Sequence, residues 1–157
     1  LMNTINNIAE KYSMEVIYSV HPRSKKFIEK RNFKFHPLVR TLKPFGFFEY
    51  NNLQKNSYCV LSDSGTLSEE SSILGFSAVL LRTSTERPEV IDKGSIVIGG
   101  IEEKTVKQSI ELAISLKREI EVNKLAIDYM DNNVSEKVVR VIQGYTQIIN
   151  KCVWMKG

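Results

Sequence analysis

Tyr58-Cys59-Val60-Leu61-Ser62-Asp63-Ser64-Gly65-Thr66-Leu67-Ser68-Glu69-Glu70 passes through three patterns in quick succession. Residues 58–61 are a compact apolar run of strand length, and residues 62–66 are small and polar. Leu67, Ser71 and Leu74 then recur at helical spacing around the Glu69-Glu70 pair. An apolar run stopped by turn residues and followed by a 3.6-residue period reads as strand, tight turn and helix. The pattern repeats downstream. Ala78-Val79-Leu80-Leu81 is a second continuous apolar strand, residues 84–93 form a turn-and-helix segment, and Ser95-Ile96-Val97-Ile98 is a third strand stopped by Gly99-Gly100. Strands that are apolar throughout must be covered on both faces. Their alternation with helices therefore predicts an α/β fold, a Rossmann-like parallel sheet with helices on both sides.

Upstream, residues 14–20 hold Val16, Ile17, Tyr18 and Val20 and end at His21-Pro22, which predicts another buried strand. Pro22 suits a helix start, and a short surface helix is expected over residues 24–31. Residues 32–44 read as a loop or short strand, and residues 50–57 as a helix of about two turns. Leu1, Met2, Ile5, Ile8, Ala9 and Tyr12 recur at helical spacing with no strand ahead of them, so the chain is expected to be part of a longer protein.

Downstream, residues 102–115 put Val106, Ile110, Ala113 and Ile114 on one stripe, and a further helical stretch carries Ile120, Leu125 and Ile127. The last helix, residues 133–152, opens with Asn133 and Glu136 in the spacing of a capping box. Its face of Val138, Val141, Ile142, Tyr145, Ile148, Ile149 and Cys152 exceeds what a small sheet buries. Part of this face is accordingly expected to contact something outside this chain.

At 157 residues there is length for one compact domain. The 22 basic and 18 acidic residues are interspersed, so the formal charge of +4 describes an ordinary solvated surface and argues for no nucleic-acid partner. Cys59 and Cys152 stand far apart, with no Cys/His cluster near either, which indicates reduced packing residues and neither a disulfide framework nor a metal site. No apolar run approaches the ~20 residues that span a bilayer, so no membrane partner is expected and the cytoplasm is the expected compartment.

In parallel α/β sheets ligands bind at the carboxyl ends of strands, where helix N-termini attract anions. Three polar groups fall there: His21, residues 62–66, and residues 82–88. Ser64-Gly65-Thr66 offers close approach, hydroxyls and helix-start amides, as a phosphate cradle requires, though such turns are common in loops. Glu69 and Glu70 either complement the helix dipole or accept ribose hydroxyls. Arg87 either clamps a phosphate or pairs with a neighbouring Glu. His21 either bonds its neighbours or reads a ligand. Tyr50, Phe45, Phe47 and Phe48 belong either to the core or to a base-stacking surface.

Ser62-Asp63-Ser64-Gly65-Thr66-Leu67-Ser68-Glu69-Glu70, followed after one strand by Arg82-Thr83-Ser84-Thr85-Glu86-Arg87-Pro88-Glu89, closely resembles the paired signature of the non-hydrolysing UDP-N-acetylglucosamine 2-epimerase family. The likeness runs from the strand before His21 to about Gly100. It implies the C-terminal half of a glycosyltransferase-B type fold, with residues 1–132 as the UDP-binding domain and residues 133–157 as a terminal helix that crosses to a separate N-terminal domain. Gly144-Tyr145-Thr146 and Val153-Trp154 are similar to the branch that makes UDP-N-acetyl-L-fucosamine for capsule and O-antigen (lipopolysaccharide).

The resemblance implies a UDP site made of His21, Tyr50, Ser64, Gly65, Thr66, Glu70 and Arg87. Tyr50 stacks the uracil, Glu70 holds the ribose, and Ser64, Gly65 and Arg87 hold the diphosphate. Thr66 stands where a second glycine is usual, which puts one backbone contact in doubt. The implied reaction inverts C2 of a UDP-N-acetylamino sugar by eliminating and re-adding UDP, with no cofactor or metal. The catalytic carboxylates are expected upstream in the N-terminal domain, so the chain alone is expected to be inactive, and the intact enzyme to be a homodimer. The donor-binding half of a glycosyltransferase and a non-catalytic nucleotide-binding module remain open alternatives.

Overall fold

The computed structural model describes residues 2–119 and 125–156, with side chains placed up to residue 116 of the first span. It divides into two units, Leu1–Leu125 and Ala126–Gly157.

The first unit opens with α1 (Met2–Tyr12), which turns Thr4, Ile8 and Ala9 inward. β1 (Val16–Ser19) runs parallel to β2 (Val39–Leu42), with Val16 opposite Val39 and Ser19 opposite Leu42. Between them lies α2 (Pro22–Lys30), begun by proline and burying nothing, as its charge-rich sequence dictates. Residues 32–44, which read as a loop or short strand, thus contain a true strand. Val16 donates to Leu38 and Val20 to Leu42, each at 2.9 Å, so β1 holds it along its whole length. Only Val39 of β2 is buried, which is why no alternating pattern marks it.

α3 (Phe47–Asn56) leads into β3 (Val60–Ser62), α4 (Leu67–Leu74) joins β3 to β4 (Ala78–Leu80), and α5 (Pro88–Asp92) joins β4 to β5 (Val97–Ile98). These three strands form a second parallel group with β4 at its centre. α6 (Glu103–Glu119) follows β5. The two strand groups share one core. Ile8, Val79, Val106, Ile110 and Ala113 cluster with Val16, Cys59, Leu61, Leu81 and Val97 packed against them. β4 is apolar throughout because it is buried on both faces, and Val79 has no exposed surface.

α3 starts earlier than expected. Glu49 reaches back to accept from the Gly46 amide at 3.3 Å, and this pairing draws Phe47 and Phe48 into the first turn. Both rings are exposed and stack edge-on, centroids 5.5 Å apart, so they are not core residues.

The second unit, taken by itself, holds one 3-10 turn, Ile127–Tyr129, and α7 (Val134–Cys152). Leu125 and Ile127 thus do not share a continuous helix, and Ile120 lies outside the described residues. The Asn133 capping box does not form. Asn133 makes no side-chain cap bond, and Lys137 in the first turn of α7 pairs instead with Asp131. Val138, Val141, Ile142, Tyr145 and Ile148 are exposed within this unit, and so is Cys152, which is no packing residue there. No described helix is long and apolar enough to cross a membrane.

Gly99, just after β5, lies so close to β4 that a Cβ would stand 2.5 Å from Val79 Cγ1. Gly99→Ala is therefore an overpacking change in a core with no slack, expected to cost about 1–3 kcal/mol of stability. Urea unfolding measures it. Most of the loss should disappear when Val79→Ala makes room, and an unchanged midpoint in the single variant would refute the close approach.

Candidate functional site

Parallel strands end on the same side, so the loops after β3 and β4 become neighbours. Ser62 opposes Leu80 at the last rung, and Leu81 donates to Ser62 at 2.9 Å. Beyond that rung the Ser62 hydroxyl accepts from the Ser64 amide at 3.1 Å and folds the chain into a tight turn. Ser64 and Thr66 join their hydroxyls at 2.9 Å across Gly65. Thr66 is the N-cap of α4, yet its hydroxyl makes no cap bond, being spent on Ser64. The amides of Gly65 and Thr66 meet no acceptor among the described residues. Two such amides at a helix N-terminus are an anion-binding arrangement.

The loop after β4 closes over this turn. Arg82 Nε donates to the Asp63 carbonyl at 2.6 Å and ties the two loops together. Arg87 Nε pairs with Glu69, while the guanidinium lies flat on Gly65. A Cβ there would meet Nη1 at 3.2 Å, Cζ at 3.4 Å and Nη2 at 3.5 Å. A side chain at position 65 would crowd the cation, which would have to give way by a few tenths of an ångström. Glu86 Oε2 lies 3.7 Å from Arg87 Nη1, so Arg87 does make the Glu pairs that its sequence allows, and makes them beside the turn.

α3 supplies the other wall. Gln54, buried one turn after Tyr50, donates to Glu70 Oε2 at 2.6 Å. Burial pushes the Tyr50 phenol above its ordinary range, and the Glu70 charge adds to the rise. Hydrogen bonds from Ser62 and Gln54 oppose it. Tyr50, Ser62 and Glu70 therefore belong to one half-buried cluster. The Glu pair does more than complement a dipole, since Glu69 holds Arg87 and Glu70 holds Gln54.

Six of the seven residues singled out from the sequence come together here: Tyr50, Ser64, Gly65, Thr66, Glu70 and Arg87. His21 sits at the carboxyl end of β1 in the other strand group. There it caps α2, its Nδ1 accepting from Arg23 N at 3.3 Å. In the neutral ring that bond leaves the proton on Nε2. Ser62, Glu69 and Arg82 fall in the segments that the sequence marks as candidates, outside the seven, and Gln54 alone has no place in that reading. The spacing of Tyr50 and Gln54, one helical turn apart, is the signal that places both on one face. A cavity of about 280 Å³ lies at the opposite, amino-terminal ends of β4 and β5, away from these residues.

A family model described as UDP-N-acetylglucosamine 2-epimerase matches residues 1–143. The chain is 33% identical over 122 residues to the UDP-N-acetylglucosamine 2-epimerase of Methanococcus maripaludis, covering 75% of this chain and 33% of that protein. It is 35% identical over 123 residues to that of Methanocaldococcus jannaschii, with the same coverage. Among solved structures, the epimerase of Rickettsia bellii superposes with TM-score 0.79 at 33% identity, over 98% of this chain and 43% of that one. The M. jannaschii enzyme in complex with UDP-GlcNAc and UDP superposes with TM-score 0.76 at 27% identity, over 90% and 39%. The chain thus spans about a third of the length of these curated relatives.

The Tyr50 cluster has a titration consequence. A raised phenol holds its proton more tightly when folded, so its contribution to stability is complete below the ordinary value of 10.0 and is lost as pH rises through the folded-state value. Glu70→Gln removes the second cause and leaves the first. Tyr50 should then titrate lower than in the parent chain but still above 10.0, as read by NMR of ring-labelled tyrosine against pH. An unchanged or higher value would show that Glu70 does not face the phenol.

Proposed function

The chain belongs to the UDP-N-acetylglucosamine 2-epimerase family, and on that premise we propose that it forms the nucleotide-binding half of a UDP-sugar 2-epimerase. The observation that carries the reading is the Arg87 guanidinium packed against Gly65 at a helix start where the Gly65 and Thr66 amides have no acceptor among the described residues, a cationic, N–H-rich edge that suits a diphosphate. The uracil stacks on Tyr50, Glu70 takes the ribose hydroxyls, and the diphosphate rests on Ser64, Gly65, Thr66 and Arg87. His21 reaches the nucleotide through Nε2. The Thr66 hydroxyl, joined to Ser64, adds a polar contact where glycine offers only an amide.

In the proposed reaction a base takes the C2 proton, the C2–H pair becomes a C1–C2 double bond, and the C1–O pair leaves on UDP. The double bond then takes a proton at C2 from the other face while UDP re-forms the C1–O bond. The leaving group carries the developing charge, so this half of the enzyme acts by electrostatic stabilisation, the amides and Arg87 holding UDP between the two steps. Proton transfer belongs to carboxylates outside these 157 residues, on a partner domain. In the same proposal the intact protein is a cytoplasmic homodimer whose product feeds capsule or lipopolysaccharide synthesis. α7 offers its apolar face to the partner domain.

Calorimetric titration of the chain with UDP tests the site. Arg87→Ala should weaken binding by about 1.5–3 kcal/mol, the range for hydrogen bonds to a charged group. Flat heats at millimolar UDP from a folded sample would sink the proposal. Following C2 proton exchange into deuterated solvent tests the division of labour, since positioned proton transfer supplies about 10²–10⁴-fold. The chain alone should show no exchange, and exchange at the rate of an intact family enzyme would place the base within it.

A further inference from the structure

Gln54 is the one buried residue of α3, at 3% exposure, and it is polar. A helix that buries a single position gains most from an apolar side chain there, because an amide taken out of water needs partners for all its polar atoms. Gln54 is only partly repaid. Nε2 donates to Glu70 Oε2 at 2.6 Å, while Oε1 has no hydrogen-bond partner. The amide cannot be turned around, since Oε1 would then face the carboxylate. A half-satisfied amide is a poor choice for stability, so its consequence must lie in what it does to Glu70.

That consequence is orientation. Glu70 is half-buried in the first turn of α4, and its backbone is fixed by donation to Thr66 at 2.9 Å. Its side chain reaches Gln54 across the gap between α4 and α3. With Oε2 engaged by Gln54, the carboxylate is held in place and Oε1 is the oxygen left over for another donor. Gln54 also lies close enough to the Tyr50 phenol to ease the loss of its proton, so one amide adjoins both the ring and the carboxylate. Gln54 lies in neither of the two motifs that carry the family resemblance.

We propose that Gln54 is a positioning residue that holds Glu70 in the orientation that receives the ribose hydroxyls of UDP, and so sets the preference of the site for ribose over deoxyribose. This rests on Glu70 being the ribose acid, and the test separates the two.

Affinities of UDP and 2′-deoxy-UDP for the parent chain, Glu70→Gln and Gln54→Met are measured by calorimetry. The parent should prefer UDP by about tenfold or more, the loss of one hydrogen bond to a charged group. Gln54→Met keeps the volume without the donor and should bring the ratio close to one, with little change in 2′-deoxy-UDP affinity. A merely structural role would weaken both nucleotides together and leave the ratio intact, which overturns the proposal. A parent ratio of one overturns the assignment of Glu70 itself. If Gln54→Met does not fold, Gln54→Glu takes its place. Two facing carboxylates should erase the preference at neutral pH and restore it as acid adds a shared proton, whereas a preference unchanged at neutral pH overturns the proposal.

Discussion

The parallel register of β3 against β4, with Val60 opposite Ala78 and Ser62 opposite Leu80, is the constraint on which the site depends. In an antiparallel pair the turn after β3 and the loop after β4 would leave from opposite ends. In this one they leave from the same edge, and the bond from Arg82 to the Asp63 carbonyl keeps them there. The helix that follows β3 then presents its N-terminus at that edge, where unpaired amides and the helix dipole favour an anion. The cluster of charge around Gly65 is therefore a consequence of strand direction before it is a consequence of any side chain.

Two glycines make room for close approaches, and neither does so through an unusual backbone angle. At Gly65 the missing side chain leaves the Arg87 guanidinium uncrowded, and at Gly99 it admits the Val79 methyl. The first close approach is polar and builds the site. The second is apolar and holds the central strand, whose burial on both faces fixes the level at which the strands end. Around the site the polar atoms bond mainly to one another. Glu69 with Arg87, Gln54 with Glu70 and Ser64 with Thr66 form short links across neighbouring elements, which preorganise the pocket without a ligand.

What was legible in the sequence was whatever leaves a periodic or compositional trace. β1, β3, β4 and β5 are apolar runs because they are covered, and the turn at residues 62–66 is polar because it ends a covered strand. β2 left little trace because Val39 alone is buried and its hydrogen bonds come from β1. The start of α3 was missed because two exposed phenylalanines look like core and the cap is a Glu side chain reaching back to glycine. The Asn133 cap fails in the other direction: the motif is present, yet with the Asn133 backbone at φ −105° and ψ 36° its side chain makes no cap bond. Gln54 was passed over because a glutamine inside a polar helix carries no signal until its burial is known. The site residues named from motifs needed no such knowledge, since the motif spacing already states which loops they occupy.

The central claim is that UDP lies at the carboxyl ends of β3 and β4. Amide NMR of the labelled chain, titrated with UDP, tests it most directly. The largest shifts should fall on Gly65, Thr66 and Leu67, with smaller ones around Tyr50 and Gln54. Shifts concentrated instead on residues 75–78 and 93–97, which line the cavity at the amino-terminal ends of β4 and β5, would contradict the account.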